Sequence, residues 1–283
     1  MDSVFIDETF DLNQTGNYHI SIQAGLDGYS FSVLDPVRNK YILLKHYKLS
    51  EISDITLLED KIHEIQKNDE FLSREYKSAL FSYQSPKYTI IPGPLFNKQN
   101  LRSYFEFNQH LDDLDEIHYN KLNNTDAYNL YIIPSRLACL VKKAFDNVRY
   151  YHQVTPFIEN GLMQYGGKTF RRSVLVNLYG KYADVIVVQG EKLILSNTFP
   201  WKTDQDLVYF ILYVYEQLKL SGEDVPLVIS GSIKKRSEAY ELLKVYIKKV
   251  GFESRNDTFQ YSYTLNDIDL HWFTNLFNLK LCV

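Results

Sequence analysis

Cysteine is almost missing from this chain: Cys139 and Cys282 are the only two in 283 residues. That excludes a disulfide scaffold and any four-cysteine zinc site. Glycine (12) and proline (8) are also scarce. Together they make up about 7% of the chain against roughly 12% on average, so collagenous, low-complexity and linker-rich readings fall away. Positive charge is not in excess: Lys+Arg 31 against Asp+Glu 35 gives a net charge of −4. A dedicated nucleic-acid binder would be strongly basic, so no nucleic-acid partner is expected. Long apolar runs are lacking as well. The longest, Leu207 to Tyr215, is nine residues where a membrane span needs about 20. No membrane span is expected, and the run is predicted to be a helix buried on every side. Met1 to Asn13 carries four acidic residues and no apolar stretch, so the chain is expected to be cytoplasmic.

Hydrophobic residues, at 45%, are enough for a real core. Tyrosine (23) and phenylalanine (17) are abundant, which implies large buried rings or an aromatic partner surface, core burial being the stronger explanation. The length exceeds what one core usually organises, so two domains are expected, 1–167 and 168–283.

Period-two alternation predicts strands at His19–Ile22, Tyr29–Val33 and Tyr41–Leu44, with a hairpin turn over Gly25 to Gly28. Helical spacing follows from Glu51 to Gln66. A strand at Tyr88–Ile91, a helix from Lys98 to Asn108, a solvated acidic connection at Asp112–Glu116 and a strand at Tyr128–Ile133 come next. A helix from Ser135, a strand at Val148–Val154 and a helix capped by Thr155 complete the first half. The second half reads as three strands (Ser173–Leu178, Asp184–Val188, Lys192–Asn197) and a helix capped by Thr203. A strand at Leu227–Ile229, a helix over Ser237–Val250, a strand at Thr258–Tyr263 and a short helix at His271–Asn278 follow. This βββαβαβα order is the ribonuclease H-like layout, and both halves open on a strand–Gly turn–strand hairpin. The fold class expected is α/β, two ribonuclease H-like domains with a cleft between them.

Local motifs for chemistry are weak. Gly166-Gly167-Lys168-Thr169 lacks the first glycine of a phosphate loop and sits after a helix rather than before one. Cys139, in an apolar patch without a basic neighbour, is expected to be buried and inert. The seven histidines show no ligand spacing, so no metal is expected. The lysines of the Lys234–Lys249 helix read as a solvated face.

The two hairpin-headed halves resemble the actin-like ATPase superfamily, in which each half offers an Asp-x-Gly turn to the magnesium-bound phosphates of ATP and a Gly-Gly turn lies against the adenosine. On this sequence the corresponding turns are Gln23-Ala24-Gly25, then Asn177-Leu178-Tyr179 followed by Gly180, then Ser230-Gly231-Ser232. The resemblance makes Gln23, Gly25, Asn177, Gly180, Ser230 and Gly231 the cleft positions. Amides replace both carboxylates, so two charges that would hold a hydrated divalent cation are gone, and neither amide is a general base. Tyr179 would crowd the phosphates. Tyr88-Thr89-Ile90-Ile91-Pro92 and Tyr128 to Leu137 are similar to the bacterial branch containing the division actin homologue and the pilus and type II secretion assembly proteins. The closing Leu270–Leu279 resembles an uncharacterised bacterial family, domain of unknown function 3822. The resemblance implies a catalytically degenerate protein-binding or assembly module, a pseudo-ATPase with no catalytic residue, no metal, and ATP possible but not expected with magnesium. The alternative is a divergent ATPase or kinase using other carboxylates, such as Asp27 and Asp184.

Overall fold

Alternation of apolar residues sets the first sheet. The computed structural model describes residues 3–49, 54–167 and 171–283. It opens on a short strand β1 (Ser3–Ile6) and a meander of β2 (His19–Gly25), β3 (Gly28–Asp35) and β4 (Lys40–Lys48). After α1 (Ile55–Asn68), capped by the Asp54 carboxylate on the Leu57 N–H, strand β5 (Ser78–Tyr83) lies parallel to β2. An inserted three-stranded antiparallel sheet, order β6-β8-β7, is built from β6 (Tyr88–Pro92), β7 (Asp115–Lys121) and β8 (Ala127–Pro134), with α2 (Leu101–Asn108) between β6 and β7. Then come α3 (Ser135–Ala144), β9 (Val148–His152) parallel to β5, and α4 (Val154–Tyr165).

The second half repeats the plan with β10 (Arg172–Tyr179), β11 (Tyr182–Gln189), β12 (Lys192–Pro200), α5 (Asp204–Gln217), β13 (Leu227–Gly231), α6 (Glu238–Tyr246) and β14 (Val250–Phe252). Its strand order, β12-β11-β10-β13-β14, matches β4-β3-β2-β5-β9 of the first sheet: an antiparallel meander followed by two parallel strands. The expected internal repeat is therefore present in the strand order itself.

Several elements differ from expectation for physical reasons. The Asp112–Glu116 connection gives way at Asp115 to β7, because pairing with β8 outweighs the poor strand propensity of its charges. Strand β5 carries no clean alternation because it is buried at five of six positions in the sheet interior. The expected strand at Thr258–Tyr263 shrinks to β15 (Gln260–Tyr261), and it pairs with β4 of the first sheet rather than joining the second. The fifth strand of the second sheet is β14, which takes residues expected to end a helix. Helix α4 starts one residue before Thr155, whose hydroxyl is bonded to Asn129 and Asn120 instead of capping. Thr203 does cap α5, in a full capping box with Asp206. Helix α5 is not buried all round: Tyr209 and Tyr213 stand exposed one turn apart, stacked on each other, since a tyrosine ring tolerates water at its hydroxyl end. Cys139 is exposed, because the helical period turns Leu137, Ala138 and Val141 of α3 inward and leaves Cys139 on the outer arc. Of the Gly166–Thr169 motif, Lys168 and Thr169 lie outside the described residues, as do Glu51 and Ile52 of the expected first helix.

The two halves share a helix. Nine residues of α4, from Val154 to Leu162, are buried, and Phe157, Ile158 and Leu162 belong to one cluster with Leu175, Ile186 and Val188 of the second sheet. Gly161 makes this approach possible: a Cβ there would stand 2.7 Å from Ile186 Cδ1. The chain then returns to its start. Residues after β14 carry Phe259, Leu265, Leu276, Phe277 and Leu279 onto Leu34, Tyr41, Leu44, Leu80 and Tyr151 of the first sheet. The last helix, α7 (Thr274–Asn278), is buried along its length.

Overpacking at a helix–sheet contact costs typically about 1–3 kcal/mol. Gly161→Val is expected to lower the thermal midpoint by several degrees, and adding Ile186→Val, which removes the offending methyl, to recover part of the loss. Calorimetric melts of the single and double variants check this.

Candidate functional site

The cleft is framed by the two hairpin turns. The Gly180 N–H donates to Asp27 Oδ2 at 2.8 Å, so the turn of the first hairpin closes directly on that of the second. Gly180 holds φ +50°, which L side chains rarely adopt. Gly231 is fixed more tightly: at φ +85° its added Cβ would meet Leu178 O at 2.1 Å. Between these turns lies a cavity of about 70 Å³, with Gln23, Asp27, Gln84, Asn177, Tyr179 and Gly231 among its walls.

The structure therefore brings Gln23, Asn177 and Gly231 to one cavity. Gln23 lies on β2 opposite Ser30, and its Oε1 is buried without a protein donor. Asn177 lies on β10 opposite Asp184, and its Oδ1 accepts the Ser230 hydroxyl at 3.3 Å. Ser230 thus supports the cavity wall rather than lining it. Gly25 packs under Gln84, where a Cβ would meet Gln84 Oε1 at 2.4 Å, and Gly180 is spent on Asp27.

One wall was not foreseen. Trp272, Phe273, Thr274 and Asn275, from the segment leading into α7, also line the cavity. The segment is pinned there: the Gly231 N–H donates to His271 O at 2.9 Å, and Ile233 O accepts from Trp272 Nε1 at 3.3 Å and bonds His271 Nε2 at 2.8 Å. Phe273 sits in the left-handed region at φ 59°, a costly conformation for an aromatic residue, with its ring 5.2 Å from that of His46. The sequence signal for this wall is a run of polar residues, Thr274, Asn275 and Asn278, all buried on one short helix.

Behind the cavity, a buried polar network joins the halves. Gln153 Nε2 donates to Ser85 O (2.9 Å), Tyr179 Oη (2.9 Å) and Asp184 Oδ2 (3.2 Å), and Gln153 Oε1 accepts the Ser85 N–H (3.1 Å). The Thr198 hydroxyl donates to Asp184 Oδ1, and His152 Nε2 bonds Ser85 O at 2.8 Å. Burial drives the titration of both ionisable members. It pushes the Asp184 carboxyl up to about 7, against the opposing hydrogen bonds from Thr198, Gln153 and Tyr179. It pushes His152 down to about 3. Both shifts favour the neutral forms. Asp27 is also raised by burial, in spite of the Gly180 N–H. Among the described residues, no group of three or more His, Cys, Asp or Glu could hold a metal ion, and no helix is long and apolar enough to cross a membrane.

Residues 7–250 match a family described as a protein of unknown function, DUF3822. No curated protein sequence matches the chain. Among solved structures, it is similar to a protein of unknown function with an actin-like ATPase fold from Bacteroides thetaiotaomicron VPI-5482. That pair shares 23% identity at a TM-score of 0.76, over 87% of this chain and 94% of the other. It is also similar to a chain of the PilM-PilN type IV pilus biogenesis complex, at 8% identity and a TM-score of 0.63, over 93% of this chain and 97% of that one. The fold is that of the actin-like ATPases.

A raised carboxyl and a lowered imidazole act in opposite directions on stability. Asp184 contributes stability below pH 3.8 that is lost as pH rises through about 7. His152 contributes stability above pH 6.5 that is lost as pH falls toward about 3. Asp184→Asn removes only the first effect. The thermal midpoint of the variant minus that of the wild type is expected to rise with pH between 4 and 8, by several degrees in all; a flat difference in parallel thermal melts would contradict the buried neutral carboxyl.

Proposed function

The chain belongs to the DUF3822 family, and we propose that it is a catalytically degenerate member of the actin-like fold, a pseudo-ATPase that works through protein–protein contact. The observation that carries this reading is the cleft. Its cavity of about 70 Å³ has room for a few water molecules, whereas small-molecule sites usually offer roughly 300–1,000 Å³. The chain's own residues 272–275 line the space, the positions matched to the family's two carboxylates are the amides of Gln23 and Asn177, and the nearby Asp27 carboxyl is taken by the Gly180 N–H. Mg²⁺ beside a triphosphate relies on charged oxygen ligands, and neutral amides do not replace that charge. Tyr179 adds bulk, with its hydroxyl committed to Gln153 and Asp184. The two halves, proposed as 1–167 and 168–283, pack on each other through α4, and the end of the second returns to the first sheet.

The enzyme alternative has less support. Asp184 is fully buried and hydrogen-bonded on both oxygens, and Asp27 is held by the Gly180 N–H. The resemblance to a chain of a pilus biogenesis complex is consistent with a protein partner and lends none by name.

ATP hydrolysis by the purified chain is expected at the level of a buffer blank, with no magnesium-dependent gain in melting temperature. Gln23→Asp with Asn177→Asp is expected to leave turnover absent unless Tyr179→Gly is added. A wild-type chain that hydrolyses ATP, and loses that activity in Asp184→Asn, would establish the enzyme instead.

A further inference from the structure

Among the described residues, strand β12 ends its sheet and pairs with β11 on one side only. From Leu193 to Phe199 it carries no charge, no proline and no glycine, and Ile194 is 37% exposed. Long free edges without such protection are templates for another strand, and folded proteins usually blunt them. Here the blunting residues, Lys192 and Pro200, sit only at the ends. In the middle, the Thr198 N–H is met by Asn197 Oδ1 at 2.9 Å, a local stopgap from an exposed side chain. By the two-residue period of the ladder, Ser196 turns its main-chain groups the same way.

Around Ser196 to Thr198 the edge is walled on one side. It borders a groove of about 400 Å³ whose far wall is β6 and the end of α2. Tyr88 Oη bonds Ser196 Oγ across it at 2.8 Å, and Asn108 and Gln109 cap the β6 side, on Thr89 Oγ1 and Tyr88 O. Asn108, Gln109 and Asn197 can each donate to and accept from a peptide backbone. No residue lining the groove is charged.

We propose that this groove binds an extended, uncharged peptide segment of a partner protein, which adds as a strand to β12. β6 and the end of α2 stand beside Ser196 to Thr198, so the occupant proposed is one extended strand, which would displace the Tyr88 hydroxyl from Ser196, rather than a second folded copy. Main-chain pairing would supply affinity, displacing Asn197 from the Thr198 N–H. A charged residue at the centre of the segment would be buried against neutral amides, so the central positions are uncharged. The proposal rests on the protein-binding reading above and gives it an address.

The test pans a phage library of linear nine-residue peptides against the full chain, then measures enriched peptides by fluorescence anisotropy. Enriched peptides are expected to be uncharged at their centres and to lose at least tenfold in affinity on Asn197→Lys, a change at an exposed position. Ser196→Pro, which removes an outward N–H, is expected to do the same, and Lys142→Glu on α3 to do nothing; thermal melts establish that each variant is folded. Peptides that bind both edge variants as tightly as wild type would overturn the groove while leaving the protein-binding reading standing. Absence of enrichment would overturn the groove too, with the ATP assay deciding separately on the broader reading. A wild-type dimer in size-exclusion chromatography that Asn197→Lys makes monomeric would assign the edge to a second copy and sink the proposal.

Discussion

A buried polar group must find a partner, and in this protein that constraint converges on one side chain. Gln153 has every polar atom of its amide engaged, by Ser85 from the first half and by Tyr179 and Asp184 from the second. Its residue is also the N-cap of α4, where it makes no capping bond, so helix-end stability has been given up for the inter-half network. Separating the sheets would break the bonds from Gln153 to Tyr179 and Asp184 and the bond from Tyr179 to Ser85 O. The relative placement of the hairpins, and so the size of the cleft, follows from keeping that set satisfied.

The cleft is lined mostly by neutral polar groups. Gln23, Gln84, Asn177 and Asn275 meet there, and Asp27, its one wall carboxylate, is held by a backbone N–H and shifted toward its neutral form. Neutral amides do not repel one another, so they let two halves approach where opposed carboxylates would not.

Much of the architecture could be read from residues 19–44 and 173–197, where alternation is clean because one strand face packs on a core. Of the cleft positions that the resemblance implied, Gln23, Asn177 and Gly231 share one cavity although they come from different sheets, whereas Gly25, Gly180 and Ser230 do not line it. What sequence could not give was set by partners far along the chain. Asp115 and Glu116 look like a loop until β8 is beside them, and Gln260 and Tyr261 look like a strand of the nearer sheet until they pair with Lys40 and Tyr41. Gln153 carries no local signal at all, since a glutamine before a helix is common and its partners lie in both sheets. The cleft-lining run at 272–275 was visible as a motif but not as a wall.

The return of residues 259–279 to the first sheet bears on how the chain folds. Tyr41 donates its hydroxyl to Phe277 O across 236 positions, and Leu34, Leu44, Leu80 and Tyr151 wait for Phe259, Leu265 and Leu276 to cover them. Until that happens the first sheet has one finished face and one bare apolar face. Loop-closure entropy makes such a contact slow, and bare sheets associate while they wait. The covering segment follows the second half in sequence, so the first sheet is covered only after the second half has been synthesised. Synthesis from the N-terminal side would leave the earlier domain the last to be complete.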